Sequence, residues 1–274
     1  YIESILGDPD ERAKIELTDA GARVYGGTQS NGQGHETVYP QLVHDQTGLP
    51  LEAIEIVQGD SDLIEMGGGT GGSRSVTVQG MALRAAGDSL IGGLRDFMAD
   101  HLDADDVNFD ADEGVRAPGS NVVVTLLEAA EAARGAGRAD LCVVQEYVKL
   151  PGRSYPNGCH IAEVEIDPET GVMAVDRYTV VDDFGNMMNP MLAEGQVHGG
   201  VAQGIGQAVC ERVVYDADGQ LLTATFMDYA MPRADNMPFI GFSIRPVPSI
   251  ANPLGMKGCG EAGTVGALAA VSNA

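Results

Sequence analysis

The sequence contains no tryptophan, and aromatic residues fill only 5% of its 274 positions. A core must therefore be built mainly from aliphatic side chains. Positive charge is scarce as well. Sixteen Lys and Arg stand against 40 Asp and Glu, a net charge of −24, which argues strongly against a nucleic-acid backbone or an anionic membrane as partner. The four cysteines, Cys142, Cys159, Cys210 and Cys259, include no C-x-x-C pair and have no histidine at ligand spacing. That excludes a zinc ion or iron–sulfur cluster bound by a local motif, and reduced thiols in a cytoplasmic protein are expected. No apolar run is long enough to span a membrane and no signal peptide is present, so no membrane insertion is expected. The chain opens on Tyr1 and stops at Ala274 in a stretch that reads as helix, which points to a piece of a longer polypeptide.

Glycine, by contrast, is abundant: 37 residues, nearly double the usual share. The glycines cluster without a repeat, which suggests backbone surfaces shaped for close approach. A short strand over 22–25 runs into Gly26-Gly27-Thr28-Gln29-Ser30-Asn31-Gly32-Gln33-Gly34-His35-Glu36 and then a helix over 36–47. Such a joint offers free N–H groups and a positive dipole end to a polar acceptor. It matches neither the P-loop nor the dinucleotide fingerprint, and His35-Glu36 is not H-E-x-x-H. A strand over 53–58 precedes a second cluster, Gly67-Gly68-Gly69-Thr70-Gly71-Gly72-Ser73-Arg74-Ser75, which leads into a long helix over 76–100. Arg74 reads either as a holder of a phosphate or carboxylate oxygen or as a surface salt bridge.

Elsewhere the pattern is plainer. Residues 1–16 are polar and acidic with a turn at Asp8-Pro9-Asp10. Residues 101–119 read as a solvated acidic connection, since the glycine spacing of a calcium loop is missing. A helix over 124–133 follows, and a boundary is expected near 117–137, dividing the chain into parts 1–120 and 121–274. Strands over 159–167 and 172–182 flank a turn at Asp167-Pro168-Glu169-Thr170-Gly171. A second hairpin is expected at 216–219, with a strand reaching Phe226.

Two stretches in the second part carry the chemistry. A helix over 194–207 is unusually dense in glycine. Each interior glycine costs about 1 kcal/mol relative to alanine, so either a ligand or a neighbouring helix must approach its backbone closely. Near the end, Gly258-Cys259-Gly260-Glu261-Ala262-Gly263 sets one carboxylate among glycines directly before a helix. Glu261 is either favourably placed on the helix dipole or presented to something lying against the main chain. The fold expected is α+β, with mixed sheets and packed helices. No protein-ligated metal site is expected. The glycine joints suit a large polar organic cofactor, with one carboxylate left for proton chemistry.

The stretches Gly32-Gln33-Gly34-His35-Glu36-Thr37, Gly69-Thr70-Gly71-Gly72-Ser73-Arg74-Ser75, Asn189-Pro190 with Glu194-Gly195-Gln196-Val197-His198-Gly199-Gly200, Phe226-Met227-Asp228-Tyr229 and Gly258-Cys259-Gly260-Glu261 occur in this order. Together they resemble the molybdopterin-binding domain of the xanthine dehydrogenase / aldehyde oxidase family, in particular the large-subunit branch that includes aerobic carbon monoxide dehydrogenase. The resemblance implies a molybdenum enzyme that oxidises a small molecule (an aldehyde, an aromatic heterocycle or CO) with water as oxygen source. It implies molybdenum carried by molybdopterin, as the cytosine dinucleotide, with FAD and 2Fe-2S clusters on partner subunits of a dimer of heterotrimers. Glu261 would be the base acting on a metal-bound hydroxyl, with hydride passing to a sulfido ligand. Gln33, Gly34, His35, Gly71, Gly72, Ser73, Arg74, Ser75, Gln203 and Gly260 would contact the cofactor. The N-terminal half of the family's domain is absent here, including the loop whose cysteine marks true carbon monoxide dehydrogenases. Gly71 replaces a bulkier residue of those enzymes, which favours aldehydes or heterocycles. The alternative from another class is a non-catalytic scaffold or cofactor-loading protein, and the chain by itself is expected to be inactive.

Overall fold

A computed structural model describes all residues from 1 to 274, which form two compact units. The first unit comprises Leu6–Arg153 and Ala251–Leu254; the second comprises Tyr1–Ile5, Ser154–Ile250 and Gly255–Ala274.

The first unit is built on a four-stranded sheet. Strand β1 (Asp10–Leu17) pairs antiparallel with β2 (Ala22–Gly26), and β2 pairs parallel with β3 (Ile54–Val57). β1 was read as polar chain, yet its residues alternate in burial, with Ala13, Ile15 and Leu17 inward. Its inward position at Glu11 is charged, which hides the period-2 pattern. Helix α1 (His35–Thr47) ends at Gly48, whose φ of 71° suits the left-handed cap. Helix α2 (Ser75–His101) lays Val78, Ala82, Leu83, Ala86 and Leu90 into the core and packs on β1.

The acidic stretch after α2 is more than a connection. It holds β4 (Asn108–Asp110) and β5 (Gly114–Arg116), joined by β6 (Val123–Val124) in a small antiparallel sheet. Val107 and Val115 close over Met98 of α2 and Ala129 of α3 (Leu126–Gly135). Thr125 and Glu128 form a reciprocal capping box at the start of α3. This cluster packs α3 onto the end of α2 within the first unit. Strand β7 (Val143–Lys149) completes the main sheet beside β1, in the order β3-β2-β1-β7.

In the second unit, β8 (Asn157–Ile166) and β9 (Met173–Asp183) form the expected antiparallel hairpin. Helix α4 (Pro190–Val209) begins four residues earlier than its glycine pattern indicated, because Asn189 caps Leu192 N–H and Pro190 preorganises the first turn. Strand β10 (Ile240–Ile244) adds parallel to β9, and helix α5 (Ala262–Ser272) packs along α4. The core joins Tyr178, Val180 and Phe184 to Val197, Val201, Ile205, Ala267 and Val271. α5 ends at Ser272.

Residues 210–239 depart from expectation. The turn at 216–219 forms, but only an isolated bridge between Tyr215 and Leu221 follows, with no strand to Phe226. Phe226, Met227 and Phe239 are more than 80% exposed. No helix is long and apolar enough to cross a membrane.

Candidate functional site

In the first unit the β2–α1 joint is braced from within. His35 is buried, with Nδ1 3.0 Å from the Thr28 carbonyl and Nε2 3.2 Å from the Gln33 amide nitrogen. A carbonyl only accepts, so Nδ1 carries the proton and Nε2 accepts from Gln33. Burial holds the imidazole below its ordinary pKa, partly opposed by the Thr28 carbonyl, which agrees with this neutral tautomer. Gln33 Oε1 accepts from Asn31 N–H, so both ends of the amide shape the loop. Thr28 is itself anchored by Tyr39 and Gln79. Gly34, with φ 86°, caps α1 without any side-chain hydrogen bond. A Cβ on Gly32 would meet nothing within 4 Å.

The second glycine cluster lies against the first, for a Cβ on Gly67 would fall 2.5 Å from the Gly27 Cα. Between them is a cleft of about 230 Å³ lined by Gly26, Gly27, Gln29, Gly59, Asp60 and Gly67 among others. Thr70 Oγ1 donates to the Gln29 carbonyl, and Ser75 Oγ donates to Thr70 Oγ1. Gly69 and Gly71 face open space, whereas Gly72 presses on Leu6, and Ser73 has a positive φ of 57°.

Arg74 is placed otherwise than expected. It is 1% exposed; Nε donates to Asp8 O (2.6 Å), Nη1 to Gly69 O (2.6 Å), and Nη2 to Asp10 O (2.7 Å) and Glu11 Oε2 (3.0 Å). The guanidinium is therefore spent inside the protein. It neither reaches a ligand nor forms a surface salt bridge. It fixes the loop, and Gly68 must be glycine because a Cβ there would lie 2.6 Å from Nη2.

In the second unit Glu261 is exposed at the N-cap of α5, and its carbonyl accepts from Val265 N–H. The segment before it is held at several points. Lys257 Nζ pairs with Asp183 Oδ2 at 2.5 Å and Lys257 N–H donates to Phe184 O. Burial opposes ionisation of Asp183, but the Lys257 ammonium and the amides of Val247 and Gly185 outweigh it and hold the carboxyl below its usual range. Gln196 Nε2 donates to the Gly260 carbonyl at 2.6 Å. Thr264 Oγ1 bonds Gly200 O and Gln203 Oε1 at 3.1 and 3.0 Å. Gln203 is exposed on α4.

The dense glycines of α4 divide in two. A Cβ on Gly200 would stand 2.9 Å from Gly263 Cα, and one on Gly204 would stand 2.5 Å from Ala267 Cβ, so these positions serve helix packing. Gly195 and Gly199 have nothing within 4 Å. The structure thus gathers Gln203, Gly260 and Glu261 on the α4–α5 pair, and Gln33, Gly34, His35 and 71–75 on the two loops of the other unit. Gln196, Thr264 and Asp183 were missed. They act on backbone or on other side chains; Gln196 and Thr264 lay within stretches that drew notice, Asp183 did not.

One unit thus carries glycine-lined loops at the starts of α1 and α2, and the other carries an exposed carboxylate at the start of α5. The molybdopterin cofactor-binding domain family matches residues 1–238, and the chain belongs to that family. It is 35% identical to the 6-hydroxypseudooxynicotine dehydrogenase complex subunit gamma of Paenarthrobacter nicotinovorans, covering 96% of this chain and 34% of that one. It is likewise 35% identical to the carbon monoxide dehydrogenase large chain of Afipia carboxidovorans, covering 90% and 31%. Among solved structures, a Cu,Mo-CO dehydrogenase in its carbon monoxide reduced state superposes with a TM-score of 0.92 at 31% identity, over 100% of this chain and 37% of that one. Quinoline 2-oxidoreductase from Pseudomonas putida 86 gives 0.86 at 30% identity, over 99% and 37%. The chain spans about a third of the length of these curated relatives.

The residues fit such a group. No cluster of three or more His, Cys, Asp or Glu that could hold a metal ion is present in this chain. Gly32, Gly69, Gly71, Gly195 and Gly199 leave open backbone where a carrier can lie.

Proposed function

We propose that this chain forms part of the catalytic subunit of a molybdenum hydroxylase that oxidises an aldehyde, an aromatic heterocycle or CO with water as oxygen source. The cofactor is molybdopterin in its cytosine dinucleotide form, and partner subunits carry FAD and 2Fe-2S clusters in a dimer of heterotrimers. Bound molybdopterin supplies a metal centre that accepts the two electrons of the oxidation.

The chain's own residues do the rest. Backbone amides at 32–35 and 69–75 bind polar edges of the cofactor, aided by the positive ends of α1 and α2. Gln203 offers amide donors, its orientation set by Thr264. Glu261 takes a proton on a carboxylate oxygen from the attacking nucleophile and so acts as general base.

One observation carries this reading: Glu261 is an exposed carboxylate whose backbone is secured on both sides, by Gln196 at Gly260 and by α5 behind it. In the complete enzyme, Glu261→Gln should lower kcat by about 10²–10⁴-fold while molybdenum content, measured by metal analysis, stays at the wild-type level. Aldehyde, N-heteroaromatic and CO substrates are assayed in turn. Near-normal turnover with whichever substrate the wild type accepts would refute the role.

A further inference from the structure

Behind Glu261 the second unit holds a buried polar cluster that the proposed reaction does not use. The His160 side chain on β8 is only 2% exposed, with Nδ1 2.9 Å from the Tyr178 hydroxyl and Nε2 3.4 Å from Asp182 Oδ1. Its ring lies edge-on to Tyr1 at 5.1 Å and to Tyr178 at 5.7 Å. Nδ1 is hydrogen-bonded, Nε2 lies beside the Asp182 carboxylate without a hydrogen bond, and two flanks of the ring are packed. Burial and the Asp182 charge raise the Tyr1 and Tyr178 phenols, and burial, with Glu3 and Asp182, pushes the Cys259 thiol up to about 12.

This held ring abuts α5 at Gly266. A Cβ there would stand within 2.5 Å of Cγ and Cε1 and closer still to Nδ1. An exposed side chain would swing away from such an overlap, but this one has no free direction. Three residues earlier, Gly263 faces α4, where a Cβ would overlap the Val197 carbonyl and come 2.8 Å from Val201 N. α5 is thus wedged between an imidazole on one side and a helix backbone on the other, with no side chain of its own at either contact.

We propose that His160 is a positioning residue for Glu261: held by the Tyr178 hydroxyl and packed between Tyr1 and Tyr178, it seats α5 at Gly266 and so sets where the helix places the carboxylate at its head. The inference rests on Glu261 being the base. The Nδ1 hydrogen bond of His160 and the glycine opposite it serve one mechanical end, because removing either side of the wedge lets α5 shift or roll. A displacement of about 1 Å in a catalytic group can cost about 10²-fold in rate.

The test is a small variant set in the complete enzyme, read as kcat, KM and molybdenum per subunit, together with hydrogen exchange of the α5 amides and alkylation of Cys259 by iodoacetamide in that same enzyme. Gly266→Ala should lower kcat by about 10²-fold with KM and molybdenum unchanged, and should speed exchange along α5. In a His160→Ala background the same substitution should cost nothing further, because the overlap is gone. Tyr178→Phe removes only the hydroxyl that holds Nδ1 and keeps the fold. It should lower kcat several-fold, leave KM unchanged, and open Cys259 to alkylation. Should Gly266→Ala not fold, the Tyr178→Phe result stands in its place.

Wild-type kcat and wild-type α5 exchange in Tyr178→Phe, or an equal cost of Gly266→Ala with and without the imidazole, would overturn the proposal. Glu261→Gln run beside them separates the two readings. If it is inactive while Gly266→Ala and Tyr178→Phe turn over normally, only the positioning role fails. If it is active, the base assignment fails whatever α5 does.

Discussion

Glycine is used in two opposite ways, most plainly seen by setting the exposed loop positions of one unit beside the helix contacts of the other. In the loops of the first unit, Gly32 and Gly69 adopt φ of 103° and 69° and face open space, as does Gly71. In the helices of the second unit, Gly200, Gly204, Gly263 and Gly266 are pressed against neighbouring backbone or rings. The first set creates room beside the main chain; the second removes it. A high glycine count is therefore not one signal. Only the neighbours of each position say whether the missing side chain makes way for a ligand or for the protein itself.

Three substitutions would sharpen or break that contrast. The largest effect belongs to the residue that holds the open loop in shape. Arg74→Ala leaves Glu11 buried without its cation and strands the carbonyls of Asp8, Gly69 and Asp10, and should cost about 3–5 kcal/mol in urea unfolding. Next comes a packed glycine. Gly200→Ala forces a methyl to 2.9 Å from Gly263 Cα, and unfolding should show a loss of about 1–3 kcal/mol. The smallest change in stability belongs to an open glycine. Gly71→Ala should stay within about 0.5 kcal/mol of wild type yet reduce molybdopterin retained by the complete enzyme, assayed after cofactor extraction. A Gly71→Ala variant as unstable as Gly200→Ala would abolish the distinction, and one that retained full cofactor would remove Gly71 from the binding surface.

Much of the scaffold was legible because strong punctuation bounded it. α1 and α2 follow glycine joints, and the β8–β9 hairpin turns at Asp167-Pro168-Glu169-Thr170-Gly171. β1 was not, since a buried Glu11 stands where an apolar residue would reveal the strand. β4 and β5 have three residues each, too few for a period to show. Conversely, the strand expected to reach Phe226 has suitable residues but no partner chain beyond the Tyr215–Leu221 bridge. At the site, the ordered motifs identified the family and brought out Glu261, but not direction. Nothing local distinguishes Gly199 from Gly200, and Arg74 is understood only through Glu11, 63 positions away. His160 bears on Glu261 through Gly266, a relation no linear spacing encodes.

The bracket around Arg74 has a thermodynamic consequence for whatever the loop receives. Ordering a flexible backbone costs about 1–2 kcal/mol per residue in conformational entropy, and a run with glycine at five of nine positions, 67–75, has more freedom to lose than most. Arg74 ties that run to residues 8–11 through hydrogen bonds internal to the protein. The entropy is thus surrendered once, during folding, and a ligand meets a loop already in its final form. Its affinity need not be spent on ordering the chain.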